Sequence, residues 1–182
     1  LKHGVEFDNG VSLTLMYRKP ATTFNQKAEA LYQQNVLSVM EEVWHKEGER
    51  IDLVIFLNGI AIFTFELKCN TSGQNYDDAI RQYKFERDYK TRLLKFKAGC
   101  LAHFAMDLNE VYMCTNLKGK SSFFLPFNKG CGVGIHSGKG NPHNENGINV
   151  SYMWEDILKK DTVLYLIDKI IFLQKETKKD PD

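Results

Sequence analysis

Three charged residues carry the chemistry that this sequence most plainly offers: Asp52, Glu66 and Lys68. Asp52 lies near the start of an apolar run of strand length, Ile51-Asp-Leu-Val-Ile-Phe-Leu57, and the turn Asn58-Gly59 follows. Glu66 and Lys68 close the return run, Ile60-Ala-Ile-Phe-Thr-Phe-Glu-Leu-Lys68. Asn-Gly between two β-rich runs is the strongest short-range hairpin signal. Folding back there sets residue 52 opposite roughly residues 65 to 67, with the strands about 4.8 Å apart. Alternation sends Glu66 and Lys68 to one face and Leu67 into the core. Two carboxylates offer hard oxygens to Mg²⁺, which keeps several waters and room for a phosphate oxygen. Such an ion polarises a phosphoryl group and generates hydroxide, and an ammonium beside it orients the water or stabilises transition-state charge. The chemistry would be metal-assisted hydrolysis of a phosphate ester, with the Leu67 carbonyl as a further candidate ligand. The same residues also admit a plainer reading, a salt bridge at a sheet edge between Glu66 and Lys68.

The elements that must hold this hairpin follow from pattern. Val11, Leu13, Leu15 and Tyr17 alternate with Ser12, Thr14 and Met16 as in a first strand. Pro20 breaks that run, and Thr23 or Asn25 can cap a helix beginning near Gln26. Ala28, Leu31, Tyr32, Val36, Val39, Met40 and Val43 then fit one continuous amphipathic helix, although Val36 to His45 also reads as a β-rich segment after a shorter one. Periodicity favours the long helix. Beyond the hairpin, a polar loop from Cys69 to Asn75 leads into a helix with Tyr76, Ala79, Ile80 and Tyr83 on one face. Leu101 to Met106 and Val111 to Thr115 form a strand pair turning at Asp107 to Glu110, and Phe123 to Phe127 extends the sheet at an edge, where Pro126 is tolerated. Residues 128–147 are a Gly/Asn-rich loop. A last helix spans Asp161 to Leu173, with Val163, Leu164, Leu166, Ile167, Ile170 and Ile171 inward. No internal repeat is visible. One domain over residues 1–173 is expected, followed by a charged linker over 174–182.

The segment Ile51 to Lys68, IDLVIFLNGIAIFTFELK, resembles the nuclease core of the R (restriction) subunit of type I restriction enzymes. That core is a PD-(D/E)xK motif, here with Ile51 in place of the proline. Asn25 to Asn35, Asp78 to Asp88, His103 to Lys120, Phe124 to Lys129 and Trp154-Glu-Asp resemble the same subunit, so the likeness covers most of the chain. It implies a restriction-endonuclease-like α/β fold, a mixed central sheet flanked by helices in three layers. It implies helix over 25–35 and strand over 36–45, against the long helix. It also implies that Asp52, Glu66 and Lys68 are catalytic, with Asp52 and Glu66 holding Mg²⁺ or its substitute Mn²⁺. Family members carry Gln-x-x-x-Tyr after the core. Gln82 matches as a supporting catalytic residue, but Glu86 stands at the tyrosine position and Tyr83 directly follows the glutamine.

The implied activity is cleavage of unmodified double-stranded DNA, within a complex that includes methylation and specificity subunits. In that subunit the nuclease domain precedes an ATP-driven translocating motor. No such motor is in this chain, so ATP is a cofactor of the expected parent alone. The loop Gly130 to Gly140 does not supply a Walker A motif, because Val133 stands where Gly is required and Gly140 where Ser or Thr would be. Cys131, His136 and His143 match no zinc ligand spacing.

Between Arg81 and Lys97 seven Lys and Arg residues face only Glu86 and Asp88. Such a cluster suits phosphates, and Arg81, Lys84 and Arg87 can share a helical face toward DNA; a solvated helix face is the alternative. Trp44 and Trp154 are expected as core or capping aromatics. The 182 residues carry a net charge of +1, so any electrostatic footprint is local, and 43% hydrophobic content supports a core without staples. Cys69, Cys100, Cys114 and Cys131 form no CxxC pair and are expected to be reduced. Residues 1–20 lack the pattern of a signal peptide and no apolar run spans a bilayer, so a cytoplasmic protein is expected. A start at Leu1 and a charged end resemble cuts through something longer. Two rivals to a nuclease remain open: a DNA-binding module with a silent nuclease fold, and a subunit-docking domain.

Overall fold

The computed structural model describes residues 1–22 and 24–173, so the candidate cap Thr23 and the expected linker over 174–182 lie outside the described residues. Two compact units are present, one from Val36 to Glu155 and one made of Leu1–Asn35 with the segment from Asp156 onward.

The unit from Val36 to Glu155 holds the hairpin. Its sheet has six strands in the order β3 (Leu37–Lys46), β4 (Glu49–Leu57), β5 (Ile60–Leu67), β6 (Ala102–Met106), β7 (Val111–Cys114) and β8 (Leu125–Pro126). The β4–β5 turn closes on Asn58 at φ 50° and Gly59 at φ 79°, the left-handed pair that two-residue hairpins require. The Val36 N–H donates to the Asn58 side chain (2.7 Å), and the Asn58 N–H donates to the Val36 carbonyl (2.8 Å), which ties the turn to the entry of β3. Pairing runs Leu57↔Ile60 and Phe56↔Ala61, then Ile55↔Phe63, Val54↔Thr64 and Leu53↔Phe65. Opposite the Ile55–Phe56 step, β5 therefore carries one extra residue, Ile62, a bulge.

A parallel neighbour needs a crossover. Here the crossover is α2 (Tyr76–Phe85), after which β6 pairs β5 as Glu66↔Ala105 and Leu67↔Met106. Asn75 starts α2 in a reciprocal capping box with Asp78. The apolar face of α2 packs on β5, β6 and β7. Ala79 and Tyr83 are buried there with Ile51, Val54, Leu94 and Ala105, and a stacked Phe65–Phe104 pair lies 4.8 Å between centroids. Each large aliphatic or phenylalanine side chain in this cluster contributes roughly 1.5–3 kcal/mol through burial. The mixed sheet with its helices is the restriction-endonuclease-like architecture that the resemblance implied.

The loop over 128–147 is held by amides. Asn141 donates to the Asn109 carbonyl and to Asn128 Oδ1, and it accepts the Lys129 N–H.

In the other unit, Asn25 caps α1 (Gln26–Gln33) by accepting the Ala28 N–H. The continuous helix suggested by periodicity does not form. Asn35 Nδ2 donates to the Tyr32 carbonyl at the helix end, and residues from Leu37 onward instead pair with β4, starting at Leu37↔Leu57. A long-range ladder wins over a local period that both conformations satisfied. The first strand is also shorter than expected: only Ser12–Leu13 (β2) pairs, with Val5–Glu6 (β1), and all four residues are exposed. The last helix, α3 (Lys160–Tyr165), passes into a π turn over Leu166–Ile170 and stops at Ile171. Val163, Leu164 and Ile167 are buried as expected, whereas Ile170 is exposed. Tyr32 donates to Asp161 (2.7 Å) and Arg18 bridges Asp168 (3.2 Å).

Trp44 and Trp154 are not core aromatics; they are 63% and 47% exposed, and Arg50 lies over the Trp44 ring. All four cysteines are free. Among the described residues no helix is long and apolar enough to cross a membrane.

Candidate active site

The hairpin gathers the acids as its register requires. One step beyond Leu53↔Phe65 the ladder is completed by a side chain, because the Leu67 N–H donates to Asp52 Oδ2 (2.7 Å). The Lys68 N–H donates to the Met106 carbonyl (2.9 Å), so β6 fixes the backbone that carries the ammonium. Asp52 and Lys68 line an open cleft of about 420 Å³ with Leu53, Leu67, Glu41 and Glu42.

Glu66 is close to this pair but does not open onto the cleft. It is fully buried, and Arg87 grips it with a two-pronged ion pair, Nε to Oε1 at 2.7 Å and Nη2 to Oε2 at 3.3 Å. Burial pushes the Glu66 carboxyl up to about 7. The Arg87 hydrogen bonds oppose that rise, the negative charge of Asp52 adds to it, and Lys68 opposes it. The expectation that Leu67 points into the core is therefore corrected: Leu67 is 36% exposed in the cleft wall and Glu66 takes the interior position. A buried carboxylate is tolerated only when paired and hydrogen-bonded, and Arg87 supplies both.

Beneath Glu66 runs a buried polar chain. Tyr83 OH and Thr64 Oγ1 are 2.8 Å apart, as are Thr64 Oγ1 and His103 Nδ1. Burial raises the Tyr83 hydroxyl well above its usual value, with the Glu66 charge adding to the effect, and burial pushes His103 down to about 3, so both are neutral. The aromatic beside the acid is thus Tyr83, while Glu86 caps the exposed end of α2. Gln82 Oε1 is buried without a hydrogen-bond partner among the described residues.

The three cations assigned to one helical face separate. Arg81 and Lys84 lie on α2, Arg81 exposed and Lys84 half-buried. Arg87 comes after the helix ends at Phe85, and its side chain is only 9% exposed. The shared face is corrected because Arg87 has turned toward Glu66. Its position is fixed by neighbours. Lys46 bridges Glu49 (3.0 Å) and Asp88 (3.2 Å), the Asp88 N–H donates to Glu49 (2.7 Å), and His45 Nδ1 lies 3.0 Å from Thr91 Oγ1. Pattern reasoning missed Arg87 as a clamp, since nothing local marks a pairing 21 residues apart.

Glu41 and Glu42 were missed as well; both are plain in a strand whose register the sequence does not give. Glu42 sits at φ 53° in mid-strand, between the pairs Glu41↔Leu53 and Val43↔Ile51, and its carboxylate bonds Arg50.

Hard carboxylate oxygens suit Mg²⁺. Asp52 presents one beside the cleft, and Glu66, on the facing strand end, carries a second pair behind it. Among the described residues no group of three or more His, Cys, Asp or Glu side chains is placed to hold a metal ion. The remaining positions of such an ion would therefore go to waters and a phosphate oxygen. The donor set fits, with Arg87 as the group that must give up a Glu66 oxygen.

A family model described as the type I restriction enzyme R protein N terminus matches residues 14–122, a stretch that contains every candidate site residue named above. No curated protein matches the chain.

Proposed function

The chain belongs to the type I restriction enzyme R protein N-terminal family, and from that premise we propose that it is a Mg²⁺-dependent endonuclease domain hydrolysing phosphodiester bonds of unmodified double-stranded DNA. The observation that carries the reading is the convergence of Asp52, Lys68 and Glu66 at one end of the β4–β5 ribbon, beside an open cleft. When bound, Mg²⁺ would polarise the scissile phosphoryl group and lower the pKa of an attacking water. Asp52 and Glu66 would hold it. Lys68 orients the water and stabilises charge on the transition state. Gln82 supports the site through its orphaned acceptor oxygen. Arg81 and Lys84 contact the phosphate backbone, which fixes the duplex without reading its sequence.

The wider reading follows the family. The domain acts in the cytoplasm in a complex with methylation and specificity subunits. Cleavage follows ATP-driven translocation by a motor that is part of the parent protein, so ATP serves the parent and sequence choice belongs to another polypeptide. The burial of Glu66 beneath Arg87 favours one second reading, a non-catalytic DNA-binding or docking module.

Calorimetric titration with Mn²⁺ separates the two. A nuclease site binds the ion and loses it in Asp52→Ala, whereas no binding by the intact chain, with or without a duplex, leaves only the module.

A further inference from the structure

The two acids meet solvent differently, and the difference lies in one side chain. Asp52 opens onto the cleft, whereas both Glu66 oxygens are taken by the Arg87 guanidinium. A cation held jointly by Asp52 and Glu66 needs one of those oxygens, so a second positive group already stands on the ligand that an incoming ion would use. This group is not held by α2. It lies on the 87–91 segment beyond the helix, moored to the β3–β4 turn through Lys46, Glu49, Asp88, His45 and Thr91. The mooring is ionic and half-exposed at Lys46, so it can be loosened without cutting into the core.

Resting on the nuclease reading above, we infer that Arg87 is a substrate-released latch, an internal counter-ion that keeps Glu66 from divalent cations until a DNA phosphate draws the guanidinium away. A guanidinium fork matches phosphate as well as carboxylate, and bidentate charge-assisted bonds are available with either. Arg87 does not line the cleft at rest, so the exchange requires the 87–91 segment to shift; a phosphate beside Asp52 then offers the guanidinium a replacement partner, and the vacated Glu66 oxygen completes the cation site. Cation and duplex therefore bind with positive coupling, each raising the other's affinity by the same factor.

The test uses Mn²⁺ as the probe and calorimetry as the readout, in a Lys68→Ala background so that no phosphodiester is cut. Titrations are run on the metal-free chain at pH 8.5, with and without a short duplex. The latch predicts that duplex tightens Mn²⁺ binding by roughly tenfold or more, the scale on which groups bonded to metal ligands act. It also predicts that Arg87→Gln binds Mn²⁺ tighter than its parent without duplex and gains less from duplex than the parent does, because only the direct phosphate–ion contact then remains. Lys46→Met, which frees the segment and leaves the Arg87–Glu66 pair chemically intact, shifts in the same direction by a smaller factor and covers the case in which Arg87→Gln does not fold. Weaker Mn²⁺ binding in a folded Arg87→Gln, or affinities in both variants equal to the parent's, overturns the latch and makes Arg87 a positioning residue, while the cation site stands. Absence of Mn²⁺ binding in every protein, duplex included, overturns the nuclease reading and the latch with it.

Discussion

The two flanks of the β4–β5 ribbon handle the same problem in opposite ways. On the cleft side, Asp52 keeps access to solvent and needs only a backbone N–H to orient it. On the interior side, Glu66 has no exposure and needs a guanidinium held by a network of five further residues. An acid at the surface is ready but loosely defined, whereas an acid in the core is rigid and must be neutralised. The site joins one of each, so its readiness depends on what neutralises the second.

Removing the cleft-side members gives the largest effects. Asp52→Ala is expected to bring Mn²⁺ affinity below calorimetric detection, and Lys68→Ala to lower cleavage by the assembled enzyme by roughly 10²–10³-fold. Circular dichroism of Lys68→Ala should remain that of the parent, and an unfolded variant would contradict its placement in the cleft wall.

The interior flank should show the reverse, a stability effect. Arg87→Ala leaves Glu66 as an uncompensated buried acid, at a cost of about 3–5 kcal/mol in urea unfolding. A cost no greater than that of Asp52→Asn would erase the distinction between the flanks.

A smaller effect concerns acid. Burial acts to raise the Glu49 carboxyl, but the Asp88 N–H and Lys46 together hold it below the usual carboxylate range; the Lys90 N–H and then Lys46 do the same for Asp88. A depressed folded value stabilises above the unfolded value, and that stabilisation is lost as pH falls through the folded one. The parent is therefore expected to lose stability below about pH 4 more steeply than Lys46→Met, as read by thermal unfolding across pH.

The smallest change is at the helix face. Lys84→Ala should alter stability by no more than about 0.5 kcal/mol and reduce the salt slope of DNA binding by about 1. An unchanged slope would remove α2 from the DNA surface.

What the sequence made legible was local. Asn58-Gly59 set the hairpin and, by counting outward, the meeting of residue 52 with the end of β5. The apolar face of α2 and the β6–β7 pair followed in the same way. Val36, Val39 and Val43 satisfied helix and strand alike, and only the antiparallel ladder with β4, which sets Val39 opposite Ile55 and Val43 opposite Ile51, decides between them. The inversion at the end of β5 was beyond any pattern, because a carboxylate prefers an interior position to leucine only when a distant arginine comes with it. Exposure of Trp44 and Trp154 likewise runs against composition, which counts large aromatics as inward.

The extra residue at Ile62 has an evolutionary corollary. It lies between the bend and the acids and has no partner across the ladder, so deleting it closes a regular ladder in which Leu53 still faces Phe65 and Glu66 keeps its interior side. A one-residue insertion that no bulge absorbs would instead slip the register and send Glu66 outward and Leu67 inward. Homologous chains that retain the reaction should therefore differ in length between the counterparts of Asp52 and Glu66 only where the bulge or the turn takes up the change, while the loop over 128–147 can vary by any count.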